Sequence, residues 1–376
     1  MPLTKIKLAD AIERVECPNT DLQYGVLDVR GVNNSKKFIR TKANINNRDL
    51  SKFQIVFPHC FVFNHRTSRN GSKFSIAYND TESAVICTED YVVFRVKEAY
   101  AEIVASEWLY LYFNRSEFDR YVITNSWGSS TEFYNWEDIC TLELEVPPLA
   151  IQKRYISVYY LIDDALKAYI QKGQYLQQLC KSYLESVKYT AKKEKIGNLL
   201  REVNYRNADG VFKEVQGINI SKQFMPSIAD TRSVDLTKYK VVPPRHFACN
   251  LMHVGRDEIF PIALNHTDVA KLVSPAYTVL EVAPNVVPEY LMGWFSRAEF
   301  DRMSWFMTDS SIRGGLDINE FYQMKVPIPT YEVQEAVANI QKSFRRTISM
   351  TDEMSKISST ICPILVSGAL KEGAKS

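Results

Sequence analysis

The chain is written twice, and nothing else in its sequence constrains the fold as strongly. The run Val29-Arg30-Gly31-Val32-Asn33-Asn34-Ser35-Lys36-Lys37-Phe38 returns as Val215-Gln216-Gly217-Ile218-Asn219-Ile220-Ser221-Lys222-Gln223-Phe224. Asp49-Leu50-Ser51-Lys52-Phe53 returns as Asp235-Leu236-Thr237-Lys238-Tyr239, and Pro58 and Phe61 match Pro244 and Phe247 at the same offset of 186. Beyond them, Arg115-Ser116-Glu117-Phe118-Asp119-Arg120 matches Arg297-Ala298-Glu299-Phe300-Asp301-Arg302 at an offset of 182, so the second copy has lost four residues. Leu8 to Val15 also resembles Ile196 to Val203, and Leu144 to Gln152 resembles Val326 to Gln334.

Each copy has the same layout. Strand-rich globular parts are expected over 1–147 and 195–329, and helical stretches over 148–194 and 330–376. Gln54 to Val62, Ser83 to Val96 and Tyr277 to Val282 are rich in β-branched and aromatic residues and read as strands. Glu107 to Tyr121 carries Trp108, Leu111, Tyr112 and Phe118 at helical spacing. A proline-bearing connector, Val146-Pro147-Pro148 or Val326-Pro327-Ile328-Pro329, closes each globular part. In the first helical stretch Tyr155, Ile162, Tyr169, Leu176 and Tyr183 fall seven apart, with Val158, Ala165, Lys172, Leu179 and Ser186 as the second seam position. The second stretch gives Val337, Ile340, Phe344, Thr347, Thr351, Met354, Ser358, Ile361 and Leu365. Two helices of matching length and phase predict pairing with each other as a coiled coil about 65 Å long. The fold class expected is α+β.

Composition adds mostly exclusions. At 376 residues the chain is long enough for two to three domains. No apolar run reaches the 18 or more residues of a membrane span, and Met1 to Lys7 lacks the apolar core of a signal peptide. Seven scattered cysteines read as free thiols, so a cytoplasmic protein with no membrane partner is expected. Phosphate-loop, dinucleotide, nucleophile-elbow and zinc-protease signatures are absent. Among His59, His65, His246, His253, His266 and the seven cysteines no C-x-x-C or H-x-x-x-H spacing places two ligands together, so no metal site is expected. Val146-Pro147-Pro148-Leu149 and Val242-Pro243-Pro244-Arg245 approach an adenine-methyltransferase motif but lack its polar first and aromatic last residue. No catalytic residue and no cofactor on this chain are expected.

The formal net charge is only +2, yet charge is segregated. From Arg30 to Lys73 ten basic residues face one acid, a local charge of +9; from Lys213 to Arg256 seven face three, a charge of +4. A basic tract in equivalent places of both copies favours a polyanion surface. Lys36, Lys37, Arg40, Lys42, Arg66, Ser68, Arg69 and Lys73, with Lys222, Arg232, Arg245 and Arg256, are therefore candidate DNA contacts. The polar loop Asn64 to Lys73 holds two arginines suited to guanine edges, with hydroxyls and amides suited to phosphates. A second loop, Trp127 to Thr131, adds Ser129 and Ser130, and its counterpart Asp309 to Gly315 adds Arg313. Shared framework with divergent loops suits one scaffold reading two different targets.

In its order of globular half, helix, globular half, helix, the chain resembles the specificity (S) subunit of type I restriction–modification systems. The resemblance also rests on the closing phrase of each half: Trp136-Glu137-Asp138-Ile139 running to Pro147-Pro148-Leu149-Ala150-Ile151-Gln152, and Ile318-Asn319-Glu320-Phe321 running through Pro327-Ile328-Pro329 to Gln334. One departure is Thr330-Tyr331-Glu332 where the family often repeats a Pro-Leu pair. The resemblance implies two target-recognition domains reading a bipartite, asymmetric double-stranded DNA site, with antiparallel helices setting the spacing. It implies docking of two methyltransferase (M) subunits, which carry S-adenosylmethionine and methylate adenine at N6, and of restriction (R) subunits using ATP and Mg. Tyr155, Ile162, Tyr169, Leu176, Leu179, Val337, Ile340, Phe344, Met354 and Ile361 are the candidate helix-pairing and partner residues. The alternative is a protein adaptor with no DNA readout.

Overall fold

A computed structural model describes residues 2–375 apart from 34, 42, 43, 46, 67–72, 129–131, 231–233 and 310–313, and leaves the side chains of residues 253, 256 and 257 undescribed. In the first copy the strands are β1 (Thr4–Lys7), β2 (Ile12–Arg14), β3 (Arg30–Val32), β4 (Phe38–Arg40), β5 (Gln54–Val56), β6 (Phe61–Asn64), β7 (Ile76–Tyr78), β8 (Val85–Cys87), β9 (Tyr91–Val96) and β10 (Glu143–Val146). Its helices are α1 (Leu8–Ala11), α2 (Ser106–Phe113), α3 (Ser116–Thr124), α4 (Trp136–Cys140) and the long α5 (Leu149–Thr190). The second copy repeats this with β11 (Lys192–Lys195), β12 (Leu200–Val203), β13 (Val215–Ile218), β14 (Phe224–Pro226), β15 (Lys240–Val242), β16 (Phe247–Cys249), β17 (Ile262–Leu264), β18 (Lys271–Val273), β19 (Thr278–Val282) and β20 (Lys325–Ile328). Its helices are α6 (Val254–Asp257), α7 (Pro288–Phe295), α8 (Ala298–Phe306), α9 (Ile318–Gln323) and the long α10 (Tyr331–Gly373).

Topology obeys the duplication. The sheet order β2-β9-β6-β7 of the first copy is β12-β19-β16-β17 in the second. The first and last strands of each copy pair, β1 with β10 and β11 with β20, and so close each globular part on itself. This corrects the expected helical span to residue 194: α5 ends at Thr190, because Lys192–Lys195 is used as an edge strand for the second copy. The chain forms two compact units, 1–168 with 351–376, and 169–350, so each unit holds one globular part and a piece of each long helix.

Within each unit the two long helices run antiparallel. In the first, Tyr155 lies over Gly368, where a Cβ would stand 2.9 Å from its ring, and its hydroxyl bonds the Glu372 carboxylate at 3.2 Å. In the second, the cleft at Gly173 is filled by Thr347, 3.7 Å from where a Cβ would be, and Cys180 meets Gln341. The end of α10 enters the first core through Cys362, Leu365, Val366 and Ala369, and the end of α5 enters the second through Leu184 and Val187. Tyr155, Ile162, Tyr169 and Leu176 are half-buried on α5, Val337 is buried on α10, and Ile340, Phe344, Met354 and Ile361 are half-buried there.

The second seam position of α5 needs correction. Val158 and Leu179 are 43% and 48% exposed, whereas Tyr159, Gly173, Leu184 and Val187 are buried and Leu166 and Cys180 half-buried. The seam therefore steps by four from Tyr155, not by three. Lys172 and Ser186 already argued against the other phase, since a seam disfavours a charge or hydroxyl that finds no partner.

Candidate nucleic-acid interface

Each globular part is braced by the same buried polar framework, and this decides which basic residues can face a ligand. Lys36 and Lys222 occupy left-handed backbone positions, with φ of 56° and 59°. Their ammonium groups turn inward, are nearly enclosed, and pair with Asp119 and Asp301 at 2.6 Å each. They also donate to the carbonyls of Phe113 and Phe295. Burial pushes both lysine pKa values down, against the pull of the paired aspartate. The same aspartate oxygens accept from the amides of Phe74 at 3.0 Å and Phe260 at 2.9 Å. The ammonium groups of Lys36 and Lys222, expected to face DNA, are thus turned inward: each is a strut between a loop, a helix and the base of a hairpin.

Gln152 and Gln334 are a second shared strut, which gives a physical meaning to the glutamine closing each half. Gln152 is buried, accepts from the Ala105 amide at 2.9 Å and donates to the carbonyls of Ile103 and Pro147. Gln334 accepts from Val287 at 2.9 Å and donates to Pro329. Each pins the first turn of a long helix to the entry of α2 or α7.

Over this framework the structure brings together the two loops singled out in each copy. In the first unit the Tyr134 amide donates to His65 at 2.9 Å, and Trp127 and Phe133 exchange bonds of 3.1 and 2.9 Å. In the second, Leu316 donates to Leu251 at 2.8 Å and Asp309 to Gly315 at 2.9 Å. These are the same positions at offsets of 182 and 186. The side chains differ throughout: Trp127, Phe133 and His65 in one unit stand where Asp309, Gly315 and Leu251 stand in the other. The second junction is tighter still, since a Cβ on Gly255 would lie 2.6 Å from the Gly314 backbone.

Of the other candidates, Arg40 and Lys73 are exposed, and Arg66 is half-buried with Asp90 at 3.3 Å. Lys37 is 44% exposed but spends its charge on Asp163 of α5 at 2.5 Å. Burial would raise the Asp163 carboxyl, but hydrogen bonds from Lys167 and Lys37 hold it below its ordinary value. Arg245 is exposed, with Glu289 at 3.4 Å. Lys42, Ser68, Arg69, Ser129, Ser130, Arg232 and Arg313 lie outside the described residues, as does the side chain of Arg256. Sequence reading passed over the indole of Trp127, which is 74% exposed; a tryptophan between Ser126 and Gly128 in a polar loop was the available signal. Among the described residues no three metal-ligating side chains gather, and no helix is long and apolar enough to cross a membrane.

No family model and no curated protein matches the sequence. Solved structures do match in fold. The type I restriction–modification S subunit from M. genitalium superposes with a TM-score of 0.58 at 11% identity, covering 99% of this chain and 96% of that one. Weaker superpositions are with the HsdS subunit from Thermoanaerobacter tengcongensis (TM-score 0.43, 13% identity, 98% and 97% coverage) and with a structure concerned with assembly and conformational transition of the type I R-M system (0.48, 11%, 99% and 97%). The M. genitalium likeness runs over the whole of both chains, so this chain has the S-subunit fold: two tandem α+β repeats, each followed by a long helix, with the helices pairing antiparallel.

Proposed function

We propose that this chain is the DNA-specificity subunit of a type I restriction–modification complex. Each loop junction reads one half of a bipartite double-stranded site, and the paired helices set the spacing and dock two M subunits. The observation that carries this is the shared backbone pairing of two loops in both units under largely different side chains. A duplicated protein that only joined partners would have no reason to hold two loops so alike and populate them so differently. One chain with two unequal readers suits an asymmetric sequence, which a homodimer of one reader does not.

Phosphate contacts from residues such as Arg40 and Lys73 supply salt-dependent affinity, and base edges are read from the junctions. The chain itself carries no chemistry: S-adenosylmethionine and the flipped adenine belong to the M subunits, and ATP and Mg to R subunits where present. The test is to express the chain with an M subunit from its source organism in a methylation-free host and sequence the DNA for N6-methyladenine. A two-part motif with a fixed spacer, lost when this chain is omitted, is the expected result. Methylation that is absent, or unchanged by omitting the chain, refutes the proposal.

A further inference from the structure

The first junction contains a feature its counterpart lacks. Phe133 bridges Arg66 on one side and Trp127 on the other, both antiparallel. Arg66, Phe133 and Trp127 are thus backbone neighbours in one cross-strand row. At a strand spacing of about 4.8 Å the row is about 10 Å wide. It is also held stiffly. Trp127 and Phe133 are joined by two backbone bonds, the His65 ring stacks on Phe133 at 5.5 Å between centroids, and the His65 Nδ1 is bonded to the Asp90 carbonyl at 3.0 Å.

An indole that is 74% exposed, carried on a backbone pinned by two hydrogen bonds and two bridges away from Arg66, is poorly explained as a folding element. Burying it would gain what its exposure forgoes. Its flat face suits a nucleic-acid base, and Arg66, across Phe133, suits a phosphate next to it. Asp309, at the same backbone position of the second unit, can do neither.

Resting on the specificity-subunit reading, we propose that Trp127 stacks on a base of the first half-site, opening one base step, while Arg66 holds the adjoining phosphate. Recognition in that half-site then includes a preference for an easily unstacked step, such as a pyrimidine–purine step, at a place with no hydrogen bond to a base edge. The second half-site, facing Asp309, is read without such a wedge.

The test uses the chain assembled with its M subunit. Once the methylated motif is mapped, a duplex carrying it is titrated into the wild-type, Trp127→Phe and Trp127→Ala complexes, following tryptophan fluorescence and affinity. The expected result is quenching in the wild type that is lost in Trp127→Phe, and an affinity about 5- to 150-fold weaker in Trp127→Ala, the range of one base–aromatic stack. Trp127→Phe should keep most of the affinity. Because the indole is exposed, Trp127→Ala should co-purify with the M subunit in wild-type ratio, and a wild-type melting curve separates lost stacking from misfolding. Equal affinity and methylation in Trp127→Ala, or quenching as large in Trp127→Phe as in the wild type, overturns the wedge and leaves the specificity reading standing. Failure of the wild-type complex to bind or methylate any motif overturns both.

Discussion

The substitution Asp119→Asn isolates the strut beneath the first loop junction. Asparagine is nearly the same shape and keeps an acceptor for the Phe74 amide, now 3.0 Å from the carboxylate. The charge that Lys36 needs is removed, leaving an ammonium with a side chain 4% exposed facing a neutral amide. Breaking a buried ion pair from one side costs about 3–5 kcal/mol, a large share of the roughly 5–15 kcal/mol that stabilises a typical domain. The sign with pH is also set. Burial already lowers the Lys36 pKa below the unfolded value of 10.5, and loss of Asp119 lowers it further. The unfolded chain then binds the extra proton, so the variant gains stability as pH rises towards 10.5 and its deficit against wild type shrinks.

Urea unfolding of the full chain at several pH values measures this, with hydrogen exchange at the Phe74 amide as the local report. The Phe260 amide, bonded to Asp301 in the other unit, is the internal control and should keep its wild-type protection. The double variant Lys36→Met, Asp119→Asn should recover at least half of the loss, because no buried charge remains. A single variant as stable as wild type, a deficit that does not change with pH, or a double variant as damaged as the single would refute the strut.

Three further outcomes are expected. Val187→Glu, at a seam side chain buried in the second core, should cost about 3 kcal/mol or more, whereas Leu179→Glu should change stability by less than about 0.5 kcal/mol; comparable thermal melts for the two would put the seam back in the other phase. Gly255→Ala forces the Gly314 backbone to shift, so the second half-site's sequence preference should be lost while the first is kept, as motif sequencing would reveal. Gln152→Ala leaves the Ala105 amide without its side-chain acceptor and should cost about 1–3 kcal/mol in a denaturant titration, seen as early fraying of α5.

The duplication, the α+β class and the two long helices were legible in the sequence, because each repeated block is a unit with its own strands, turns and helix signals. So were the two loops of each copy, as polar breaks between apolar runs. The identity of Lys36 and Lys222 in copies whose loops diverge was also a signal: agreement between copies marks framework, and disagreement marks the reading surface. Read only as charge, those lysines looked like DNA contacts. Whether a lysine turns outward to a phosphate or inward to Asp119 depends on a residue 83 positions away and on a left-handed φ, which no local pattern records. The same holds for the seam of α5, whose phase is decided by what α10 and the core place against it, and for the Trp127 loop, whose Phe133 meets Arg66 only when the two loops close. Periodicity and repetition are properties of the chain alone and can be read along it; burial, pairing and exposure belong to pairs of distant segments and exist only once those segments are in contact.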